Sequence, residues 1–450
     1  MMGSKHKAIK SQSCGKGKTL DATPAHGAKE AEAVADDAIQ DEAASDESFA
    51  DKATDRVAPF DPQLKVALVH DWINGFRGGE KVLLELTRLF PAAPIYCLFY
   101  KKGSCHPEIE SHEIRPSFLN RLPGADKYYR HFLPLFPLAA ETLIDEKYDL
   151  IVSTSHAVAK SIATKGAIHW SYVHSPMRYV WDRFDDYFGK YPLALREAIV
   201  RPIASVLQCY DVKTAGRAAH YVANSQFIAQ RIRVFYNKTA EVIHPPVDTM
   251  PWLEVTRAPK DHYLFFSALV PYKQAEMAAQ ACIQLKKKLV MMGRGPQESE
   301  LKEKFGKSEY IKFLISPTDE QIVEQFSTAR ALLLPGIEDF GIVMAEAIIA
   351  GLPVIAPKMG GALDIVENGV TGLLFDCMTS GGEAARQSEL SNIKDFIGLH
   401  LTLAKLTEAI EDFEKAPLHI DNDTRTKIAE KFAPKAFTQK VLRSIKKTLS

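Results

Sequence analysis

The chain has 450 residues, of which 46% are hydrophobic and 25% charged, an ordinary balance for a globular protein of two or three domains. Lys plus Arg number 56 and Asp plus Glu 56, so net charge carries no signature of a nucleic-acid partner. The six cysteines (Cys14, Cys97, Cys105, Cys209, Cys282, Cys377) form no C-x-x-C pair, which fits a reducing cytosol and argues against a cysteine metal site. No uninterrupted apolar run approaches the ~18 residues a membrane span needs.

Residues 1–60 are rich in Ala, Asp, Glu, Lys and Ser and run from basic (KHKAIKSQSCGKGK) to acidic (DDAIQDEAASDES). Such a stretch has too little apolar surface to order itself and is expected to be a disordered extension. It lacks the apolar core of a signal peptide. The folded part is expected to begin at KVALVHDW, residues 65–72, a buried first strand. Its loop NGFRGGE, residues 74–80, holds Gly78 and Gly79 and leads into a helix with Val82, Leu83, Leu84 and Leu86 on one face. Paired glycines at a strand-to-helix turn let backbone amides approach a ligand, although a tight turn alone also accounts for them. The G-x-G-x-x-G order of a dinucleotide site is absent, which disfavours a dehydrogenase.

Residues 117–136 mix Arg121, Lys127 and Arg130 with aromatics and leucines. This suits contact with a membrane surface, and equally a helix packed on a sheet. Strands at 149–156 and 168–174 end in His156 and His174, at the carboxyl edge where open α/β sheets bind ligands, and a helix is expected to follow the first of them from Ala157. Arg178 follows in the loop SPMRY, where it serves either an anion or the loop itself. Helices are expected over residues 183–216. Ser225 is placed to cap a helix, and the prolines of VIHPPVD, residues 242–248, to form a hinge.

A second run of strands starts at YLFFSALVPYK, residues 263–273, which delivers Lys273 to a strand end. LVMMGRGP, residues 289–296, contains Gly293 in the loop after the next strand. The stretch LPGIEDFGIVMAEAIIAGLP, residues 334–353, then reads as strand, loop and short helix, closed by Gly351. Glu338 and Glu346 are eight positions apart, a spacing that puts both on one side of a helix and lets them face one crevice. Glu346 interrupts an apolar helix and needs polar partners; sugar hydroxyls are suitable, because one carboxylate accepts from two of them. The amides of Phe340, Gly341 and Ile342 head that helix and suit a phosphate. A Glu capping its own helix, with Glu346 at the rim, satisfies the same spacing, and spacing does not choose between the two.

EDFGIVMAE resembles the Glu-x7-Glu signature of the retaining GT-B glycosyltransferases of family 4, and the likeness covers most of the chain after residue 60. It is closest to bacterial mannosyltransferase-like members that assemble surface polysaccharides. The resemblance implies a GT-B fold, two Rossmann-like parallel-sheet domains facing a central cleft. It divides the chain into residues 61–250 (acceptor side), 251–433 (nucleotide-sugar side) and a helix, 434–450, crossing back. It implies that Glu346 binds ribose, Glu338 the donor sugar, and Lys273 with the intervening amides the diphosphate. HDWINGFRGGEKV matches the family's Gly-rich loop, and either His156 or His174 matches a histidine near the anomeric carbon. Ala268 and Ile315 stand where many members have Arg and Gly, so Arg178 or Arg294 is a candidate for the missing charge. The implied partners are a nucleotide sugar such as GDP-mannose and a glycan or lipid-linked acceptor, with peripheral contact at the inner membrane face, no metal and no nucleic acid. A sugar-nucleotide 2-epimerase and a non-catalytic nucleotide-sugar binder are the alternatives.

Overall fold

The structure, a computed structural model, describes residues 60–125, 129–189 and 191–450. The extension expected at residues 1–60 therefore lies outside the described residues except for Phe60, as does Lys127. Thirteen strands form two sheets in the described residues. The first holds β1 (Val66–Ile73), β2 (Ile95–Tyr100), β3 (Ile114–Pro116), β4 (Leu150–Ser155), β5 (Ile168–Val173), β6 (His220–Ala223) and β7 (Ala240–Val242), in the order β3-β2-β1-β4-β5-β6-β7. The second holds β8 (His262–Phe266), β9 (Lys288–Met292), β10 (Ile311–Leu314), β11 (Leu332–Leu333), β12 (Val354–Pro357) and β13 (Gly372–Phe375), in the order β10-β9-β8-β11-β12-β13. Every pairing in both sheets is parallel.

Parallel strands are covered on both faces, which is why VALV of β1 and LVMM of β9 read as continuous apolar runs rather than alternating ones. In both sheets the order reverses beside the first strand of the unit, β1 in one and β8 in the other. That reversal opens a crevice at the carboxyl ends of the strands. Gly78–Leu89 is the helix after β1. Its first turn is closed by a capping box in which the Arg77 backbone N–H donates to Glu80 Oε2 at 3.0 Å. Ile342–Ile349 is the helix after β11. Gly341 precedes it at φ +91°, a left-handed conformation in which glycine is favoured.

The last helix, Pro434–Leu449, leaves the second sheet and packs on the helix Gly78–Leu89 and on β5. Phe437, Val441 and Ile445 enter the core there, and Trp170 Nε1 donates to Ser444 Oγ at 2.9 Å. One apolar cluster spans the two sheet units, joining Trp181 and Phe227 to Ile337, Met359 and Phe396. Within 117–136 the described residues form 3-10 turns at Phe118–Arg121 and Tyr129–Leu135, and Leu119, Tyr129, Leu133 and Phe136 are buried in one apolar cluster with first-sheet residues such as Val69 and Tyr96. The helix expected directly after His156 is a single 3-10 turn, Ala159–Ser161, because a buried carboxylate holds the preceding amides.

Candidate active site

The crevice between the sheets is lined from both sides. On the second-sheet side, the turn Pro271–Lys273 brings Lys273 Nζ onto Glu338 Oε2 as a hydrogen-bonded ion pair. This approach depends on Gly336, where a Cβ would lie 2.6 Å from the Tyr272 carbonyl oxygen and 2.8 Å from Lys273 Cα. It depends equally on Gly361, where a Cβ would sit 2.1 Å from the Phe340 carbonyl oxygen. The Glu338 carbonyl accepts from the Gly361 N–H at 2.8 Å, so two loops are stitched beneath the carboxylate. Glu346 is buried one turn into the helix, and its Oε1 lies 3.7 Å from Lys81 Nζ of the opposite domain. Gly78 faces Ile342 across the same gap: a Cβ on it would be 2.8 Å from Ile342 Cδ1. The structure therefore brings Glu338, Glu346, Lys273, Gly341, Ile342, Gly78 and Gly79 to one crevice.

Phe340 and Gly293 do different work. The Phe340 ring turns away into the core, 5.5 Å from Phe432 and 5.7 Å from His244. Gly293 has φ +131°, and a Cβ there would lie 1.9 Å from the Ser267 carbonyl oxygen. It allows the loop after β9 to run against the loop after β8, where the Leu269 N–H donates to the Arg294 carbonyl at 2.7 Å.

The first-sheet wall holds the histidines. His174 shares a hydrogen bond with Thr154 Oγ1 at 2.5 Å, and burial lowers its pKa to about 3, with His156 and His70 adding to the effect. His156 Nδ1 is 3.6 Å from Asp71 Oδ2. Burial lowers its pKa to about 4, against the upward pull of Asp71. Both imidazoles are neutral near pH 7. Their rings are 6.4 Å apart. A Cβ on Gly79 would lie 3.7 Å from His174 Nε2 and 3.6 Å from His70 Cε1, so Gly79 lies against the histidine wall.

Three features were missed by the sequence reading. Asp71 is fully buried and accepts the backbone N–H groups of His156, Ala157, Val158 and Ala159 at 2.6–2.8 Å. Burial would raise its pKa, yet His156 and those amides hold it below the ordinary value. An acid inside the apolar run VALVHDWI was the available signal. Lys81, directly after GGE, is the second, and it reaches Glu346 across the crevice. The third is a buried charge cluster around Asp339, next to Glu338. Arg178 Nε donates to Asp339 Oδ2 at 2.9 Å and Arg231 Nη1 to Asp339 Oδ1 at 3.2 Å. Arg178 is thereby engaged by a protein carboxylate. Ser225 caps its helix by accepting from the Ile228 N–H at 3.2 Å and also donates to the Asp339 carbonyl at 2.5 Å.

Two parallel α/β units with a crevice at their strand ends define a protein of the GT-B class. Residues 76–250 match the model described as Glycosyltransferase Family 4 and residues 253–389 that described as Glycosyl transferases group 1. The chain belongs to the GT-B glycosyltransferases of family 4.

Among curated relatives it is similar to the D-inositol 3-phosphate glycosyltransferase of Mycobacterium sp. (strain KMS), 25% identical over 50% of this chain and 60% of that protein. The match thus spans about 60% of that relative's length. It is also similar to the human Alpha-1,3/1,6-mannosyltransferase ALG2, 24% identical over 86% of this chain and 97% of that protein. Among solved structures it resembles Anabaena Alr3699/HepE in complex with UDP-glucose, with a TM-score of 0.53 and 17% identity over 85% and 100% of the two chains. The sucrose-phosphate synthase of Thermosynechococcus elongatus gives 0.57 and 14% over 85% and 98%. No helix of the described residues is long and apolar enough to cross a membrane.

Proposed function

We propose that the protein is a retaining glycosyltransferase that moves a hexose, mannose being the leading candidate, from a nucleotide sugar to a glycan or lipid-linked acceptor in polysaccharide assembly. The observation that carries this reading is the convergence of the Lys273–Glu338 pair and buried Glu346 on one crevice, opposite a wall of neutral histidines.

Cleaving a nucleotide sugar leaves a diphosphate and develops positive charge at the anomeric carbon. In this proposal Lys273 turns from Glu338 to the diphosphate, joined by the amides of Gly341 and Ile342, so the leaving charge meets preorganised donors without a metal. Release from Lys273 leaves Glu338 free to accept from the sugar hydroxyls. Glu346 accepts from the ribose hydroxyls. Gly78 and Gly79 let backbone approach the donor from the acceptor side, and His156 or His174, uncharged, lines the path to the anomeric carbon. The acceptor hydroxyl attacks on the face the diphosphate leaves, and the departing phosphate oxygen takes its proton. A lipid-linked acceptor would bring the protein to the inner membrane face as a peripheral visitor.

Incubation with GDP-mannose, UDP-glucose and other nucleotide sugars, with and without a glycan or polyprenyl-linked acceptor, tests the reading. Acceptor-dependent release of nucleoside diphosphate with net retention at the anomeric carbon is expected. Conversion of a nucleotide sugar without acceptor would instead indicate an isomerase, and binding without turnover a non-catalytic protein.

A further inference from the structure

Lys273 and Glu338 both belong to the second-sheet domain, yet the loops that carry them are gripped from the first. Arg178, from the loop after β5, donates to Asp339 and places its guanidinium carbon 5.5 Å from the centre of the Tyr272 ring. Asp339 is the neighbour of Glu338, and Tyr272 the neighbour of Lys273. One side chain of the acceptor-side domain thus touches the residues flanking both members of the ion pair. Arg231, only 1% exposed, takes the other Asp339 oxygen and spends its second arm on Asp182 Oδ1 at 2.5 Å. Ser175 Oγ lies 3.2 Å from both guanidiniums, and Ser225 Oγ holds the Asp339 backbone carbonyl. Two arginines and two aspartates form a charge-balanced cluster in which Arg231 and Asp339 are buried and Arg178 and Asp182 partly so. In it Asp339 is the single group of the second domain, so breaking its contacts leaves uncompensated charge on the first-domain side.

We infer that Asp339 is a positioning residue: held by Arg178 and Arg231 of the opposite domain, it fixes the Glu338 carboxylate in register with the acceptor-side wall. The consequence is a division of labour within the crevice. Glu346, held within the helix Ile342–Ile349, contributes to holding a donor whether or not the cluster is formed. The orientation of Glu338 relative to the histidine wall requires the cluster. Misplacing a reacting group by an ångström costs turnover far more than it costs ground-state affinity. The catalytic part of this inference rests on the transferase reading above; its structural part does not.

The test uses the full chain with Asp339→Asn and, because that variant leaves two buried guanidiniums facing a neutral amide, also Arg178→Gln, which keeps Arg231 on the carboxylate. Hydrogen exchange is read first, without ligand. Exchange of the amides of residues 337–341 is expected to accelerate by about tenfold or more in either variant, while β9 of the same domain keeps its wild-type rate. Unchanged exchange at 337–341 in both variants, or equal acceleration in β9, overturns the inference. On whichever donor the wild type turns over, kcat is expected to fall about 10²-fold, with the affinity for UDP or GDP within about threefold of wild type. Weakened nucleotide affinity at unchanged kcat also overturns it. A wild type that turns over no donor defeats the transferase reading, and the exchange result still decides whether Asp339 positions the loop.

Discussion

Lys273 and Glu338 neutralise each other on the second-sheet wall of the crevice; in the proposed function a bound diphosphate draws the ammonium away from a carboxylate it already satisfies. Lys273→Ala removes a charge-assisted contact and is expected to weaken nucleotide-sugar binding by about 1.5–3 kcal/mol. Calorimetry returning the wild-type affinity would contradict that assignment. Glu346 is buried and reaches Lys81 of the other domain; in the proposed function it holds the ribose and takes no part in bond cleavage. Glu346→Ala should raise the apparent donor constant at nearly unchanged kcat, and steady-state kinetics showing a kcat loss alone would count against it. The histidines make a separate prediction about stability. Burial lowers the pKa of His169 to about 3 and that of His174 to about 3. As pH falls below the ordinary histidine value, the unfolded chain takes up protons that the folded chain refuses. Stability is therefore lost from about pH 6.5 downward, by up to about 1.4 kcal/mol per pH unit for each such group. Urea unfolding at about pH 7 and about pH 5 checks this, and a midpoint that does not fall would contradict the burial argument. His169→Asn should flatten the dependence, because His169 is fully buried with Ser153 Oγ at 2.8 Å.

At the scale of elements, the strand-to-loop-to-helix units were legible because their signals are local. The apolar stretches VALV of β1, YLFF of β8 and LVMM of β9 run without alternation, as buried parallel strands do, and Gly351 marks the helix end. The eight-residue spacing of Glu338 and Glu346 was legible for the same reason. The partners of these residues were not, since they come from remote sequence. Arg178 and Arg231 meet Asp339 across 161 and 108 positions, and no periodicity reports such a contact. Asp71 was hidden differently. Its four amide donors follow β4, and the sequence there suggested a helix instead of the short turn that a buried carboxylate imposes. Gly293 shows a glycine whose presence was legible and whose purpose was not, because a loop approaching a phosphate and a loop pressed on another backbone need the same residue. With φ +131° and the Ser267 carbonyl 1.9 Å from a would-be Cβ, Gly293→Ala is expected to cost about 1–3 kcal/mol or more of stability. Gly103→Ala, with φ +77° and open space around it, should pay only the backbone term. Equal melting temperatures for the two variants would contradict the close-approach argument.

At the scale of the whole molecule, two sheet units are joined by more than a hinge. The closing helix Pro434–Leu449 buries Phe437, Val441 and Ile445 against the first unit, and Thr438 Oγ1 donates to Glu85 Oε2 at 3.2 Å. On the other flank Gln230 Nε2 donates to the carbonyls of Gln387 and Leu390, each at 2.6 Å. These ties, with the Asp339 cluster, hold the two walls of the crevice within reach of one small ligand. The two-sheet architecture could be anticipated because each half repeats the same local grammar; the contacts that set one half against the other could not. The central claim is that this crevice transfers a sugar and that Glu338 is indispensable to the step. It is tested most directly by acceptor-dependent release of nucleoside diphosphate from a panel of nucleotide sugars, wild type beside Glu338→Gln, a substitution that keeps shape and removes charge. The account predicts turnover of at least one donor by the wild type and a loss on the order of 10²-fold or more in the variant. A variant as active as wild type on that donor and acceptor would contradict it.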